Sequence, residues 1–349
     1  MREGSTSTLT AIANGQGQAI FTDLLPGTYG LTAGRTLNAS EVAALDGAGL
    51  KADALGAGAG VTVAAPSSAV TVSAHFGTRG SLVISEVAHS VIRDPAAGDY
   101  FAWQFIEIYN NADTTIYLDG KTVFKGLRGW WDIPDPNFGC SYYNTFNYDA
   151  LGIWARFLYR FPGGGTTYPL APGEVAVLAT DAIDHSAIVA GGLDLSAVEF
   201  EFRGSADVDN PSVPNMLSIG PGDGGIVGNG LFQFENREVL GLAEHVDPAA
   251  LPSAQIANHA TPYARVPGVL VLDVVASRRK FQSDYAVCAE SSVHPSFDQQ
   301  DATLLARYDP NTGQRRVLLV TPNRREVLQR TGTSAVDFAA GSPTPGSIP

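Results

Sequence analysis

Gln104-Phe105-Ile106-Glu107-Ile108-Tyr109-Asn110-Asn111-Ala112-Asp113-Thr114-Thr115-Ile116-Tyr117-Leu118-Asp119-Gly120 alternates apolar and polar side chains on either side of an Asn-Asn-Ala-Asp turn. A period of two is the pattern of a strand with one face against a core, and Asn and Asp supply the turn by bonding their own backbone. Upstream, Ser81-Leu82-Val83-Ile84-Ser85-Glu86-Val87 shows the same alternation behind a candidate linker, Gly77-Thr78-Arg79-Gly80. The expected fold class is all-β.

Residues 5 to 76 read as short strands broken by small residues. Gly15 to Phe21 runs into Leu24-Leu25-Pro26-Gly27-Thr28-Tyr29-Gly30-Leu31, where Pro-Gly between two apolar runs predicts a β-hairpin. Ala-rich Leu37 to Leu55, with Ser40-Glu41 at its front, reads as a short helix or loop. Two more strands are expected at Val61-Thr62-Val63 and Val70 to Ala74 from their β-branched content. With four or five strand signals, 1–77 falls short of a closed sandwich of about seven strands, so it is expected to depend on docking or assembly.

The chain has 349 residues and a formal net charge of −13, with 22 Lys+Arg against 35 Asp+Glu. Lysines occur at 51, 121, 125 and 280 alone, which leaves no basic stripe for duplex nucleic acid. The doublets Arg315-Arg316 and Arg324-Arg325 read as solvated strand ends. No run of eighteen apolar residues spans a bilayer, and no export signal follows Met1. Cys140 and Cys288 have no CxxC partner or His pair for zinc, leaving two buried thiols or one disulfide.

Ile84-Ser85-Glu86-Val87, then Phe105 to Asn110, an Asn/Asp turn and Tyr117-Leu118-Asp119-Gly120 resemble the opening of lamin-tail domains, which implies an immunoglobulin-like sandwich. Leu170-Ala171-Pro172-Gly173-Glu174-Val175-Ala176-Val177-Leu178-Ala179 is similar to a further strand of that family, and Arg330, Phe338 and Thr344-Pro345-Gly346 to its close. Gly17 to Ala33 resembles the closing strands of prealbumin-like, carboxypeptidase-regulatory-like domains, with the start of such a domain missing. The resemblances imply a partial prealbumin-like sandwich at 1–77 and a lamin-tail-like sandwich at 78–349 with insertions at 121–167 and 181–265. Asp209-Asn210-Pro211-Ser212-Val213-Pro214-Asn215-Met216 resembles the uncharacterised bacterial family numbered 4876, whose members look like exported surface proteins.

A hydrolase needs a nucleophile, a base and an oxyanion site, and no GxSxG elbow or HExxH is present. Ser85, His89 and Asp94 can be grouped as a triad on paper, against a plain loop histidine. Glu86 and Glu107 share a strand face and are expected to bind backbone or Arg partners. Asp207, Asp209 and Asn210 offer three oxygen ligands at short spacing, a calcium candidate set against an Asx turn. Thirteen of the chain's 32 aromatic residues lie between Phe124 and Tyr168. They either fill a mini-core of their own or form a binding platform whose exposed members are Trp130, Trp131, Tyr142, Tyr143 and Trp154. The expected function is a non-enzymatic secreted or cell-surface module that binds protein or glycan. The alternatives are a self-assembling subunit pairing through its open N-terminal sheet, and an accessory domain of a surface hydrolase.

Overall fold

A computed structural model of the chain describes residues 9–47, 54–64, 67–71, 75–77, 81–95, 98–126, 145–146, 148–204, 209–221, 239–256, 262–279, 293–304, 308, 311–320 and 325–348. The chain is all-β, and it divides into two compact units: Met1–Arg79 with Val317–Gln329, and Gly80–Arg316 with Arg330–Pro349.

In chain order the first unit holds β1 (Gly27–Thr36), α1 (Ala39–Gly47), β2 (Ala54–Val63) and β3 (His75–Gly77). The second continues with β4 (Leu82–Ala88), β5 (Ile92–Asp94), β6 (Gly98–Tyr100), β7 (Phe105–Asn110), β8 (Ile116–Tyr117), β9 (Thr122–Gly126) and β10 (Gly152–Arg160). β11 (Pro169–Leu170), β12 (Val175–Ala179), β13 (Phe200–Glu201), β14 (Leu217–Ser218) and β15 (Val239–Ala243) follow. Next are β16 (Ser253–Ala254), β17 (Tyr263–Pro267), β18 (Val271–Arg279), β19 (Ala302–Leu304) and β20 (Thr312–Arg315). The hairpin β21 (Val317–Val320) and β22 (Glu326–Leu328) belongs to the first unit, before α2 (Ser334–Asp337) and β23 (Phe338–Gly341) complete the second.

In the first unit β1, β2 and β3 form one antiparallel sheet, and β21 packs against β1 and β2. The expected Pro-Gly hairpin is not formed. Pro26-Gly27 leads directly into β1, whose partner is β2, and Ala19-Ile20-Phe21 is not a strand. The Ala-rich stretch yields α1, started by a reciprocal cap. The Asn38 side chain accepts from the Ser40 and Glu41 amides, and Glu41 accepts from the Asn38 amide at 2.9 Å.

The second unit is a sandwich. One sheet has six strands in the order β13-β12-β7-β4-β20-β23, and the other has eight, β16-β17-β10-β9-β15-β18-β19 with β14 on β10. Between them lies the main core, with Leu82, Ile84 and Val87 of β4, Ile106 and Ile108 of β7 and Leu178 of β12 meeting Val123, Phe157, Tyr159, Leu240 and Val275. Burying such side chains stabilises by roughly 1.5–3 kcal/mol each.

The outer faces are covered too. Phe124, Leu158, Val239 and Val274 gather with Val246 and Val293, while Phe105, Val177 and Ala179 gather with Trp103, Leu195 and Val213. Every residue of β4 and β7 is therefore buried, where the alternation predicted one wet face.

The stretches 121–167 and 181–265, read as insertions, supply β9, β10 and β13 to β16, and most of these belong to the larger sheet. The glycines of 124–168 (Gly126, Gly129, Gly139, Gly152 and Gly163 to Gly165) suggest a loop-rich segment, and over the described residues this is corrected, because β10 is a nine-residue strand with seven buried positions. Arg315 also departs from expectation. It is 2% exposed and ion-paired with Asp273 and Asp337, because β20 carries it inward beside β4, where its Nε donates to the Ile84 carbonyl at 2.7 Å.

Candidate functional site

The pleat of β4 would place Ile84 and Glu86 on one face, but the register slips between them. The extra residue, Ser85, makes a bulge. Ile84 and Val87 then both reach the core, while Glu86 stands directly opposite Glu107 of β7. Ser85 Oγ donates to Glu107 Oε1 at 2.7 Å.

Two buried carboxylates side by side need donors, and the segment after β23 brings them. The Thr344 amide and hydroxyl donate to Glu86, the hydroxyl at 2.9 Å, and the Gly346 amide donates to Glu107 Oε2 at 2.9 Å. Thr312 Oγ1 and Gln314 Nε2 also donate to Glu86, and Gln314 Nε2 holds the Ser342 carbonyl at 2.5 Å. Burial raises the Glu86 carboxyl above its ordinary value, and burial with the neighbouring charges of Glu86 and Glu199 brings Glu107 to about 8. Thr344-Pro345-Gly346 is thus a latch seated on the two glutamates, which bind backbone as the sequence reading expects.

Other acidic groups serve the same purpose. Asp298 accepts from the Ser334 amide and hydroxyl at the start of α2 and is raised by burial to about 7. Asp119, in the Tyr-Leu-Asp-Gly run, accepts from the amides of Gly165, Thr167 and Tyr168. Burial opposes its ionisation, but these amides outweigh it and hold the carboxyl at about 2.

The paper triad is not assembled. Ser85 is engaged with Glu107, and His89 Nδ1 lies 3.4 Å from the Val87 carbonyl. A dyad that sequence reasoning missed joins Tyr100 to His185: Nε2 of His185 faces the Asp181 carbonyl at 2.9 Å and must carry the proton, so Nδ1 accepts from Tyr100 Oη at 2.7 Å. Burial lowers the His185 pKa and raises Tyr100 to about 12, which keeps both neutral.

Of the aromatic candidates, Trp130, Trp131, Tyr142 and Tyr143 lie outside the described residues, as do Asp207, Cys140 and Cys288. Trp154 is not an exposed member, being buried to 9% exposure. It packs with Ile256, Tyr263 and Phe146, its indole N–H donates to Asp149 Oδ2 at 3.0 Å, and Arg265 bonds the same oxygen. β10 turns it away from solvent because its neighbours Ile153 and Ala155 fill the opposite, outer core.

At the calcium candidate, Asn210 Oδ1 accepts from the Ser212 amide at 3.1 Å in an Asx turn, and Nδ2 donates to the carbonyls of Ala182 and Ser196. Asp209 Oδ1 accepts from Asn215. Among the described residues no group of three or more His, Cys, Asp or Glu side chains is arranged to hold a metal, and no helix is long and apolar enough to cross a membrane.

These features define an all-β protein with a latched two-sheet sandwich. The chain is similar in fold to a DUF4876 family protein from Bacteroides thetaiotaomicron VPI-5482, with a TM-score of 0.63 and 20% identity over 95% of this chain and 88% of that one. No protein-family model and no curated protein matches the chain.

Proposed function

We propose that the chain is a non-enzymatic binding or adhesion module of a secreted or cell-surface protein, its second unit an elaborated lamin-tail-like sandwich and its first a prealbumin-like one. The observation that carries this reading is the commitment of the buried carboxylates. Glu86 and Glu107 hold the latch, Asp273 and Asp337 hold Arg315, and Asp298 holds α2. A general acid or base has to reach a substrate proton, whereas these groups face backbone amides and a guanidinium. Recognition then falls to other side chains, and between β9 and β10 the sequence carries Trp130, Trp131, Tyr142 and Tyr143, residue types that dominate binding hot spots. A protein or a glycan at the cell surface is the partner class such rings suit.

The test is binding of the chain to immobilised glycans and surface proteins, repeated with Trp130→Ala/Trp131→Ala and with Tyr142→Ala/Tyr143→Ala. Loss of about tenfold or more in affinity is expected from at least one double variant. Unchanged binding by both places the surface elsewhere, and turnover in a broad hydrolase screen, with or without EDTA, replaces the reading with an enzyme.

A further inference from the structure

We propose that β1 is the interface through which two copies of this chain pair, edge to edge and antiparallel, as a closed two-fold dimer. The proposal gives the first unit a role in assembly and rests on the binding-module reading only for its purpose, not for its geometry.

Sheet edges in this molecule fall into two kinds. In the second unit the sheets end in strands of two to four residues: β13 and β23 on one, β16 and β19 on the other. In the first unit β3 has three residues, but β1 has ten and, among the described residues, pairs with β2 alone. Its ten partners run from Gly27↔Val63 to Thr36↔Ala54 without a bulge. Natural edges are blunted by shortness, lysine, proline, bulges, an inward charge or a covering segment; β1 carries none of the first five, and β21, the strand packed against it, lies against β2 as well. Arg35 is its one charged residue, and the guanidinium is answered by Glu41 at 2.6 Å.

Charge selects the occupant. A chain of net charge −13 repels its own copy over most of its surface. From Leu9 to Gly34, however, Asp23 is the one charged residue, so this is a face two acidic copies can share, whereas a basic partner would gain nothing from it. The same unit exposes aliphatic side chains. Asn14 and Gln18 close a turn, with the Asn14 amide donating to the Gln18 carbonyl at 2.9 Å and Gly17 at a φ of 76°. Two residues beyond each end stand Ile12 and Ile20, 95% and 79% exposed. Antiparallel pairing of one edge with its own copy is isologous and closes on itself, so the expected product is a dimer and not a filament.

The test uses the full chain and Ala33, an exposed residue of β1. Light scattering after size exclusion, across a wide concentration range, should give twice the chain mass for the wild type. Ala33→Lys and Ala33→Glu should each be monomeric, since like charges across a pair of strands repel, with unchanged far-UV circular dichroism. An equimolar mixture of the two should recover the dimer. Should either variant misfold, hydrogen exchange of the wild type decides: protection of β1 amides must rise with protein concentration. A wild type that stays monomeric, a lysine variant that stays dimeric, or concentration-independent β1 exchange overturns the proposal, and none of these touches the ligand-binding assay that tests the module reading.

Discussion

Glu107 is the residue at which burial and chemistry oppose each other most plainly. Its carboxyl is raised from 4.5 to about 8 by burial, so the native state holds a proton that the unfolded chain releases between those values. The native state binds more protons throughout that window, and stability therefore falls as pH rises through it. Asp298, raised to about 7, adds the same sign over a narrower range, while Asp119, held at about 2, loses its contribution only as the medium is acidified below about 4. Glu107→Gln should remove part of the alkaline slope, because its carboxamide oxygen can still accept from Gly346 and no ionisation remains. We expect the urea midpoint of the variant to exceed that of the wild type at pH 8 by a stability on the order of a few kcal/mol, and to converge with it near pH 4.5. A variant less stable than the wild type at pH 8 would show that the latch requires the charge.

At the scale of elements, β15 is the strand whose sequence hides its place. Gly241 lies in its middle because the ring of Phe124, on β9, packs against it, and a Cβ there would meet ring carbon Cζ at 2.0 Å. Gly241→Ala should destabilise the sandwich by roughly 1–3 kcal/mol through overpacking, seen as a lowered Tm with the same fold, and an unchanged Tm would mean that Phe124 moves freely. Strands β4 and β7 were legible from their runs of apolar and polar residues, and β12 from the resemblance of its stretch to a lamin-tail strand. β2 was not. Its Ala-Gly run has little strand propensity of its own, and it becomes a strand by lying against an equally small partner, with Gly30 opposite Gly60, Ala33 opposite Ala57 and Gly34 opposite Gly56. The latch was half legible: Glu86, Glu107 and Thr344-Pro345-Gly346 stood out as motifs, but nothing local joins groups 258 positions apart. Trp154 was misread for a related reason. The density of aromatic residues in its segment suggested a ring left over for water, and that fails where both faces of the sheet are covered.

Over its whole length the chain passes from one unit to the other three times. After β20 the chain leaves the sandwich, forms the β21–β22 hairpin of the first unit, and returns for α2, β23 and the latch. The lamin-tail resemblance, running from Ile84 to Gly346, put 317–329 in the second domain, yet these residues belong to the first unit and the boundary falls between Gln329 and Arg330. Within the first unit the hairpin contributes Leu318 and Val327, buried to 2% and 0%, where the unit's own strands offer mainly Gly, Ala and Thr. A fragment of residues 1–79 thus retains a three-stranded sheet of small residues and loses the aliphatic pair packed against it, and a sheet with so little apolar surface does not offset its conformational entropy. The fragment is expected to show no cooperative unfolding transition and poor amide dispersion in NMR spectra. Adding residues 317–329 through a short Gly/Ser linker after Arg79 should restore a cooperative transition, because loop closure costs little compared with the burial regained. A cooperative, well-dispersed 1–79 fragment would show that the hairpin only decorates the unit, whereas a linked fragment that stays unfolded would mean that the sandwich itself is needed to hold it.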